Sequence, residues 1–307
     1  MTEWDKQYLD LCQKIFDEGI IVPNRTGTDA ITIAPETLTF DLSEEFPILT
    51  TKKLHERKAI LEMLWIYQVA SNDVRWLHDR DVYKIWDKHF IAEDGNWYAT
   101  QNILDDDGNL VERDIVEYYG EEYAHTIGTA YGYIADRYQL IPKLIETIRT
   151  NPSCRRQVKS LWQDEFMDTA VLPPCVWSTE WQVLGDKINL SVHQRSCDVP
   201  LGLPFNITQY AVLANMVAHV TGYKPGKMQW SINDPHIYVN QIEGIEKQLN
   251  RRKLIEKGDL ESFDAPELWL NPAITEFEGF DNSKNHSDIQ IRKYKHHGPI
   301  TFPPLSQ

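Results

Sequence analysis

A cysteine that follows two prolines is the side chain best suited to covalent chemistry. Leu172-Pro173-Pro174-Cys175 leads into an apolar stretch, and each proline fixes its own φ, so the thiol is presented on a stiff backbone. A rigidly held thiolate is a nucleophile that can add to an electron-poor carbon. A small buried cysteine that only packs is the alternative, and this tetrapeptide alone leaves it open.

Arginines at three places along the chain are candidates for anion binding. They are Arg25 in a glycine turn, the pair Arg155 and Arg156, and Arg195 in the segment QRSCD. A guanidinium binds phosphate through two parallel hydrogen bonds, and a positive charge near a thiol favours the thiolate. Taken singly, each arginine is better explained by a surface ion pair. Only their convergence in space would make a phosphate site.

Three further side chains are suited to recognising a nucleoside. Asn206 precedes an apolar helical segment, and its amide carries one donor and one acceptor group that match the O4 and N3–H edge of uracil. The alternative is a helix N-cap, which asparagine favours. His236 and Tyr238 are two residues apart, so on a strand they share a face, where they would bind a sugar hydroxyl or simply form a buried pair.

Glu62 is the candidate for proton transfer. It interrupts the segment 58–70, which is apolar nearly all round and predicts a buried helix. Desolvation raises the pKa of a buried carboxyl, which suits a proton relay near neutral pH. A structural hydrogen bond at the helix edge is the equal alternative.

The elements that must hold these side chains mix helices and strands. Periodicity predicts helices over 3–18, 58–70, 140–150 and 206–222, and strands over 157–162, 176–183 and 188–192. Residues 93–128 are acidic with little periodicity, and we expect a loop-like surface insertion there. Because no repeat or linker divides the chain, a single mixed α/β domain over 1–307 is expected, without the regular βαβ order of a doubly wound fold.

Composition limits the classes of function. The chain has 307 residues, of which 42% are hydrophobic, so it can bury a large core. Its formal net charge of −15 argues against a protein coated for nucleic acid or anionic membrane. Four cysteines without metal-ligand spacing, no signal-peptide pattern and no long apolar run together predict a cytoplasmic protein without structural zinc.

Taken in order, these motifs resemble those of the thymidylate synthase family over nearly the whole chain. The matching segments are RTGT (25–28), FPILTTKK (46–53), EMLW (62–65), IWD (85–87), AYG (130–132), CRR (154–156), LPPC (172–175), QRSCDVPLGLPFNI (194–207) and DPHIY (234–238). The run QRSCDVPLGLPFNI is far more specific than a short glycine motif.

The resemblance implies a fold and a reaction. The implied fold is α+β, with a large mixed β-sheet covered by helices and packed across a homodimer interface. The implied reaction is reductive methylation of dUMP to dTMP, in which 5,10-methylenetetrahydrofolate supplies the one-carbon unit and the hydride and leaves as dihydrofolate. Cys175 would add to C6 of the pyrimidine, which makes C5 nucleophilic. No metal is implied.

The resemblance also implies roles for individual residues in binding dUMP and in catalysis. The implied dUMP site comprises Arg25, Arg155, Arg156, Gln194, Arg195, Ser196, Asp198, Asn206, His236 and Tyr238, with Arg155 and Arg156 reaching across from a second subunit. Catalysis would rest on Cys175, Glu62, Tyr131, Arg195 and Asn206, with Glu62 and Tyr131 moving protons through ordered water.

A second set of positions would hold the folate. It comprises Lys52, Lys53, His55, Ile85, Trp86, Leu172, Asp198, Leu201, Gly202 and Phe205. Asp198 would bind the pterin. Lys52 and Lys53, with His55 nearby, would be exposed cations that meet the acidic glutamyl tail.

Three positions depart from the family pattern. Val176 follows the cysteine where many members have a histidine in the water network, and His89 stands where a folate-cleft tryptophan is common. The chain ends in Gln307, whereas many members end in a valine or isoleucine that closes over the cofactor; Leu305 would partly substitute.

The unusual end of the chain bears on the reaction because closure excludes water from the exocyclic methylene intermediate. Hydroxymethylation of dUMP, giving 5-hydroxymethyl-dUMP and tetrahydrofolate, is therefore the alternative activity. An RNA-binding regulator is a further alternative from a different class, and the net charge of −15 disfavours it.

Overall fold

A computed structural model describes residues 1–24, 27–82, 86–104 and 110–303, with the backbone alone for 101–104 and 110. Within these residues the helices α1 to α7 are, in chain order, Glu3–Glu18, Glu56–Tyr67, Arg75–His78, Gly132–Arg137, Leu140–Thr150, Gly202–Thr221 and Ile242–Lys257. Single turns of 3-10 helix lie at Glu121–Tyr123, Val239–Gln241 and Phe277–Gly279, and a longer one at Asp164–Thr169. No helix in these ranges is long and apolar enough to cross a membrane.

The strands of the described residues are mostly short. In chain order β1 to β13 are Ile20–Val22, Ala30–Thr32, Glu36–Asp41, Asn96–Leu104, Leu110–Tyr118, Val158–Ser160, Val176–Leu184, Lys187–Gln194, Cys197–Asp198, Lys224–Ile232, Pro235–Tyr238, Glu267–Leu270 and Ile289–Arg292. The helices and strands predicted from periodicity are present, with ends that differ by a few residues.

Two mixed sheets organise the fold. The larger has the order β3-β10-β8-β7-β6, in which β8 and β10 are parallel and the other pairs antiparallel. The smaller has the order β1-β2-β11-β9, in which β9 and β11 are parallel. Mixed sheets packed with helices confirm the predicted α+β class. The homodimer packing and the division into domains stay predictions.

Helix α6 forms the centre of the core. It packs against α2, β8 and β10, and most of its residues are buried because it is apolar on nearly every side. It begins at Gly202, four residues before the predicted start, with Leu201 at the N-cap position. Pro204 is compatible with a first helical turn, where the N–H groups have no intrahelical partner. Asn206 therefore lies inside the helix, and the N-cap interpretation is wrong.

Residues 93–128 contain a β-hairpin, so the prediction of a loop-like segment there is wrong. Strands β4 and β5 pair antiparallel in unbroken register from Asn96 with Tyr118 to Leu104 with Leu110. Most side chains of residues 111–118 are exposed, whichever face of the hairpin they lie on. None of the described side chains of 96–100 and 111–118 is buried in a core, so the sequence lacks the alternation of apolar and polar residues by which strands are recognised.

The hairpin of β7 and β8 sets the position of two candidate residues. The strands turn at Gly185 and Asp186 and run antiparallel until Val176 faces Gln194. Cys175 immediately precedes β7, and Arg195 immediately follows β8. Because antiparallel partners end side by side, the cysteine and the arginine lie at the same edge of the sheet.

Candidate active site

A cavity of about 360 Å³ opens beside this edge of the sheet. Its walls come from α2, α6, β2, β8, β9 and β11 and from the residue before β7. The predicted site residues that line it are Glu62, Trp86, Tyr131, Leu172, Cys175, Gln194, Arg195, Ser196, Asp198, Gly202, Asn206, His236 and Tyr238. The structure thus brings together most of the residues proposed for dUMP binding and catalysis.

Other predicted residues lie elsewhere. Arg155 and Arg156 are exposed and do not line the cavity of their own chain. Lys53 and His55 are exposed, and Leu201 and Phe205 are partly buried, none of the four on the described wall. Arg25, Ile85, Leu305 and Gln307 fall outside the described residues.

Lys52 corrects one expectation. Its side chain is buried, with 5% exposed; its ammonium donates to the carbonyl oxygen of Pro200 and lies 4.7 Å from the centroid of the Phe302 ring. Burial lowers the pKa of Lys52 to about 8. The prediction that Lys52 is an exposed cation is therefore wrong. A long lysine side chain can turn inward, where its ammonium meets a carbonyl oxygen and an aromatic face.

The backbone and side chain of Arg195 bind the cysteine segment. Its N–H donates to the Cys175 carbonyl at 2.9 Å. Its guanidinium donates to the carbonyl oxygens of Pro174 at 3.0 Å and Pro173 at 2.8 Å, which leaves Nη2 3.9 Å from Cys175 Sγ. The two prolines therefore stiffen the backbone and also orient the cation. A guanidinium at this distance favours the thiolate.

Replacing Arg195 with glutamine should slow alkylation of Cys175. Loss of the cation removes electrostatic stabilisation of the thiolate, and we expect the rate with iodoacetamide at pH 7 to fall about tenfold, the equivalent of about 1.4 kcal/mol. Peptide mass spectrometry of Cys175 gives the rate. Arg149→Gln is the control, since Arg149 forms an exposed pair with Glu276. An unchanged rate in folded Arg195→Gln would show that the guanidinium does not act on the thiol.

Tyr131 lies on the cavity wall in a strained backbone conformation. Its φ is 48° and its ψ −103°, which a non-glycine residue adopts only where its surroundings impose it. The next residue, Gly132, approaches the chain so closely that a Cβ there would lie 1.9 Å from the Ser71 carbonyl oxygen. The Tyr131 hydroxyl accepts a hydrogen bond from the Cys175 N–H at 3.1 Å. The tyrosine is thereby fixed beside the thiol.

Glu62 faces the cavity from α2 with 6% exposed. Its Oε1 accepts a hydrogen bond from Trp86 Nε1 at 2.7 Å, and its Oε2 accepts one from Gln209 Nε2 at 2.8 Å. Burial raises the pKa of Glu62 to about 7, although both hydrogen bonds lower it. The carboxyl thus makes structural hydrogen bonds and also has a pKa near neutral. Its role in proton transfer stays a prediction.

Asn206 is bound on both sides of its amide. Its Oδ1 accepts from Gln194 Nε2 at 3.2 Å, and its Nδ2 donates to Gln209 Oε1 at 3.0 Å. Sequence reasoning missed Gln209. The sequence did hold a signal, because Gln209 lies three residues after Asn206 on a largely apolar helix, where residues at this spacing share a face.

His236 and Tyr238 share a face of β11, as predicted. Their rings meet edge to face at 5.1 Å between centroids, and both line the cavity. Burial lowers the pKa of His236, but the hydrogen bond and charge of Asp234 outweigh this and raise it. Asp234 also accepts from Thr32 Oγ1 at 2.5 Å. Asp234 and Thr32 also line the cavity. Neither was predicted as a site residue.

Asp198 and His89 also line the cavity. The Asp198 carboxylate accepts from the Leu201 N–H and from Gln241 Nε2, each at 2.9 Å, and burial raises its pKa. His89 packs against Trp86, with 6.1 Å between ring centroids. No group of three His, Cys, Asp or Glu side chains suited to a metal ion occurs in the described ranges.

Comparison with known proteins finds relatives that match nearly the whole chain. A family model described as thymidylate synthase matches residues 6–305. The thymidylate synthase of Clostridium beijerinckii is 38% identical over 300 residues, 98% of each chain. That of Bacillus licheniformis is 36% identical over 312 residues, 98% of this chain and 99% of the relative. The solved structure of thermostable thymidylate synthase A from Bacillus subtilis matches with a TM-score of 0.78 and 32% identity, covering 98% of this chain and 99% of that one.

Proposed function

This chain belongs to the thymidylate synthase family of methyltransferases, and we propose that it methylates dUMP through Cys175. The observation that carries the proposal is the 3.9 Å separation between Arg195 Nη2 and Cys175 Sγ, in a cavity that Asn206 and Glu62 also line. A thiol, a cation, an amide matched to uracil and a carboxyl that titrates near pH 7 together serve addition to a pyrimidine ring.

In the proposed first step, the Cys175 thiolate adds to C6 of uracil. The electron pair of the C5–C6 double bond moves toward C5 and O4, and Asn206 Nδ2 donates to the oxygen that gains negative charge. C5 thereby becomes the nucleophile that receives the one-carbon unit. Arg195 serves twice, because it favours the thiolate and offers donors to the phosphate.

In the proposed later steps, Glu62 and Tyr131 move protons. C5 must lose its hydrogen after it has gained the one-carbon unit, and a carboxyl with a pKa of about 7 exchanges protons readily in both directions. Cys175 leaves C6 when the product forms. The folate cosubstrate supplies the one-carbon unit and the hydride. The partly apolar wall of Trp86, Leu172 and Gly202 suits a flat aromatic ring system, with the Asp198 carboxylate beside it.

The test is incubation with dUMP and 5,10-methylenetetrahydrofolate. We expect absorbance to show one dihydrofolate for each dTMP identified by mass spectrometry. Formation of 5-hydroxymethyl-dUMP with tetrahydrofolate, and no dihydrofolate, would assign the hydroxymethylase activity instead. Absence of any nucleotide product would reject both.

We also propose that the active form is a homodimer in which Arg155 and Arg156 bind the phosphate in the partner's cavity. Both arginines are exposed, and neither lines the cavity of its own chain. The five-stranded sheet exposes large apolar side chains, with Val158 50% and Trp177 38% exposed. Exposed apolar groups of this kind are typical of an interaction surface, and a two-fold dimer is the commonest assembly.

Subunit mixing tests this arrangement. Cys175→Ala and the double variant Arg155→Ala/Arg156→Ala should each be nearly inactive alone. Exchange of subunits should restore about one quarter of the parent activity, because half of the dimers are mixed and each has one complete site. Sedimentation velocity checks dimer formation. If mixing restores nothing although the subunits exchange, the arginines act within their own chain or not at all.

We further propose the cytoplasm as the compartment. No disulfide joins the four cysteines, all of which are described, and free thiols persist in a reducing compartment.

A further inference from the structure

Asn206 lies in the middle of a hydrogen-bonded chain that begins and ends on tryptophan indoles. The chain runs through Trp230, Gln194, Asn206, Gln209, Glu62 and Trp86, with successive N···O distances of 2.9, 3.2, 3.0, 2.8 and 2.7 Å. All of these side chains except Asn206 are buried. Gln209 lies behind the cavity wall, where it joins the amide of Asn206 to the carboxyl of Glu62.

The first tryptophan sets the direction of the chain. An indole nitrogen can only donate, so the atom of Gln194 that faces Trp230 must be Oε1. Its Nε2 then faces Asn206 and donates, and the facing atom of Asn206 must be Oδ1. Nδ2 of Asn206 consequently points toward Gln209.

The other end demands the same direction. The carboxylate of Glu62 can only accept when ionised, so the atom of Gln209 that faces it must be Nε2. Oε1 of Gln209 is left to accept from Asn206 Nδ2. The Trp230 end requires this orientation at every pH, and the Glu62 end requires it while the carboxyl is ionised. In that state a flip of the Asn206 amide would break two hydrogen bonds and place donor against donor and acceptor against acceptor.

We propose that Gln209 is a positioning residue that locks the Asn206 amide in the orientation that admits uracil and rejects cytosine. The inference rests on the proposed function, because it concerns the base in the same cavity. With one lone pair of Oδ1 and one hydrogen of Nδ2 already used, Asn206 retains one acceptor and one donor. These match N3–H and O4 of uracil, whereas cytosine presents an acceptor and a donor at the same two places.

Neither Val176 nor Gln194 could hold the Asn206 amide nitrogen in place of Gln209. Val176, which faces Gln194 across the sheet, is apolar and buried, so the residue after the nucleophile cannot orient either amide. Gln194 alone would hold only the oxygen of Asn206. Gln209 adds the second hydrogen bond, on the nitrogen, and connects the base-recognising amide to the proton-transferring carboxyl.

The connection predicts a second effect of Gln209. Its hydrogen bond to Glu62 favours the ionised carboxylate and lowers the pKa of Glu62, against the larger effect of burial. Removing the amide should raise the pKa of Glu62 further. A side chain that only filled space would leave this pKa unchanged.

Gln209→Met tests the proposal, because methionine keeps the approximate volume and makes no strong hydrogen bond. We expect the ratio of the dCMP inhibition constant to the dUMP KM to fall about tenfold, as one orienting hydrogen bond is lost. The inflection near pH 7 in kcat/KM should move to higher pH. The matched control is Gln248→Met, since Gln248 is also buried and bonds Thr51 outside the cavity; its ratio and pH profile should match the parent.

Trp230→Phe provides a second variant, which removes the indole N–H at the far end and keeps an aromatic ring. It should lower the same ratio. If folded Gln209→Met keeps both the ratio and the pH profile, the proposal is overturned; if Gln209→Met does not fold, an unchanged ratio in Trp230→Phe overturns it. Should the parent make no dTMP, the proposed function fails, and calorimetric affinities for dUMP and dCMP still decide the role of Gln209.

Discussion

Replacing Cys175 with alanine is expected to lower turnover by about 10⁴-fold or more while dUMP still binds. Loss of Sγ removes the nucleophile proposed to add to C6, and removing a nucleophile typically abolishes nearly all enzymatic acceleration. Arg195, Asn206 and Glu62 still line the cavity, so the proposed binding of the nucleotide does not depend on Sγ. Dihydrofolate absorbance measures turnover, and calorimetry measures dUMP affinity, which should stay within a few-fold of the parent.

The control is Cys154→Ser. Cys154 is half-buried outside the cavity, and its Sγ accepts a hydrogen bond from the Arg156 N–H at 3.4 Å, which a serine hydroxyl can also accept. Cys197 offers no substitute nucleophile, because it is buried and burial raises its pKa well above the ordinary value. Turnover of Cys175→Ala near the parent rate would therefore reject the covalent mechanism altogether.

Much of the candidate site could be predicted because it lies in contiguous segments. Residues 194–207 supply the end of β8, β9 and the first turns of α6, and six of the predicted residues there line one cavity. The proximity of Cys175 and Arg195 depends on antiparallel pairing of β7 with β8, and their hairpin pattern was visible in the sequence. The resemblance to a family then supplied the roles that residue types alone left open.

The sequence could not show which individual side chains turn into the core and which turn to solvent. Lys52 and Lys53 are neighbours of one residue type, yet one is buried against Phe302 and the other is exposed. Both have a long apolar stem and a charged end, so local sequence cannot tell which one turns inward. Gln209 was missed for a related reason, since its importance comes from two partners, one on another helix.

Glu62→Gln should lower kcat by about 10²- to 10⁴-fold, the usual range for loss of a general acid or base. The glutamine cannot exchange protons with the substrate, although it keeps the shape of the carboxyl. The parent should show an inflection near pH 7, the pKa to which burial raises this carboxyl, and the variant should lack it. Stopped-flow or steady-state rates between pH 5.5 and 8.5 would test both expectations.

The stability of the same variant gives an independent test of the raised pKa. Between the ordinary value of 4.5 and about 7, the folded protein holds a proton that the unfolded chain has released. This stabilising contribution is therefore lost as the pH rises toward 7. The difference amounts to about 3 kcal/mol at about 1.36 kcal/mol per pKa unit. Relative to the parent, the unfolding free energy of Glu62→Gln should increase by this amount from pH 4.5 to 8.

Glu44→Gln is the control for both measurements, because Glu44 is exposed just after β3 and lies outside the cavity, so this change should alter neither the rate nor the pH dependence of stability. Activity and stability are coupled through one group, so the two results must agree. If Glu62→Gln loses activity but its stability follows the parent at every pH, the carboxyl does not titrate near neutral pH. Proton transfer would then have to be assigned to water and Tyr131 without Glu62.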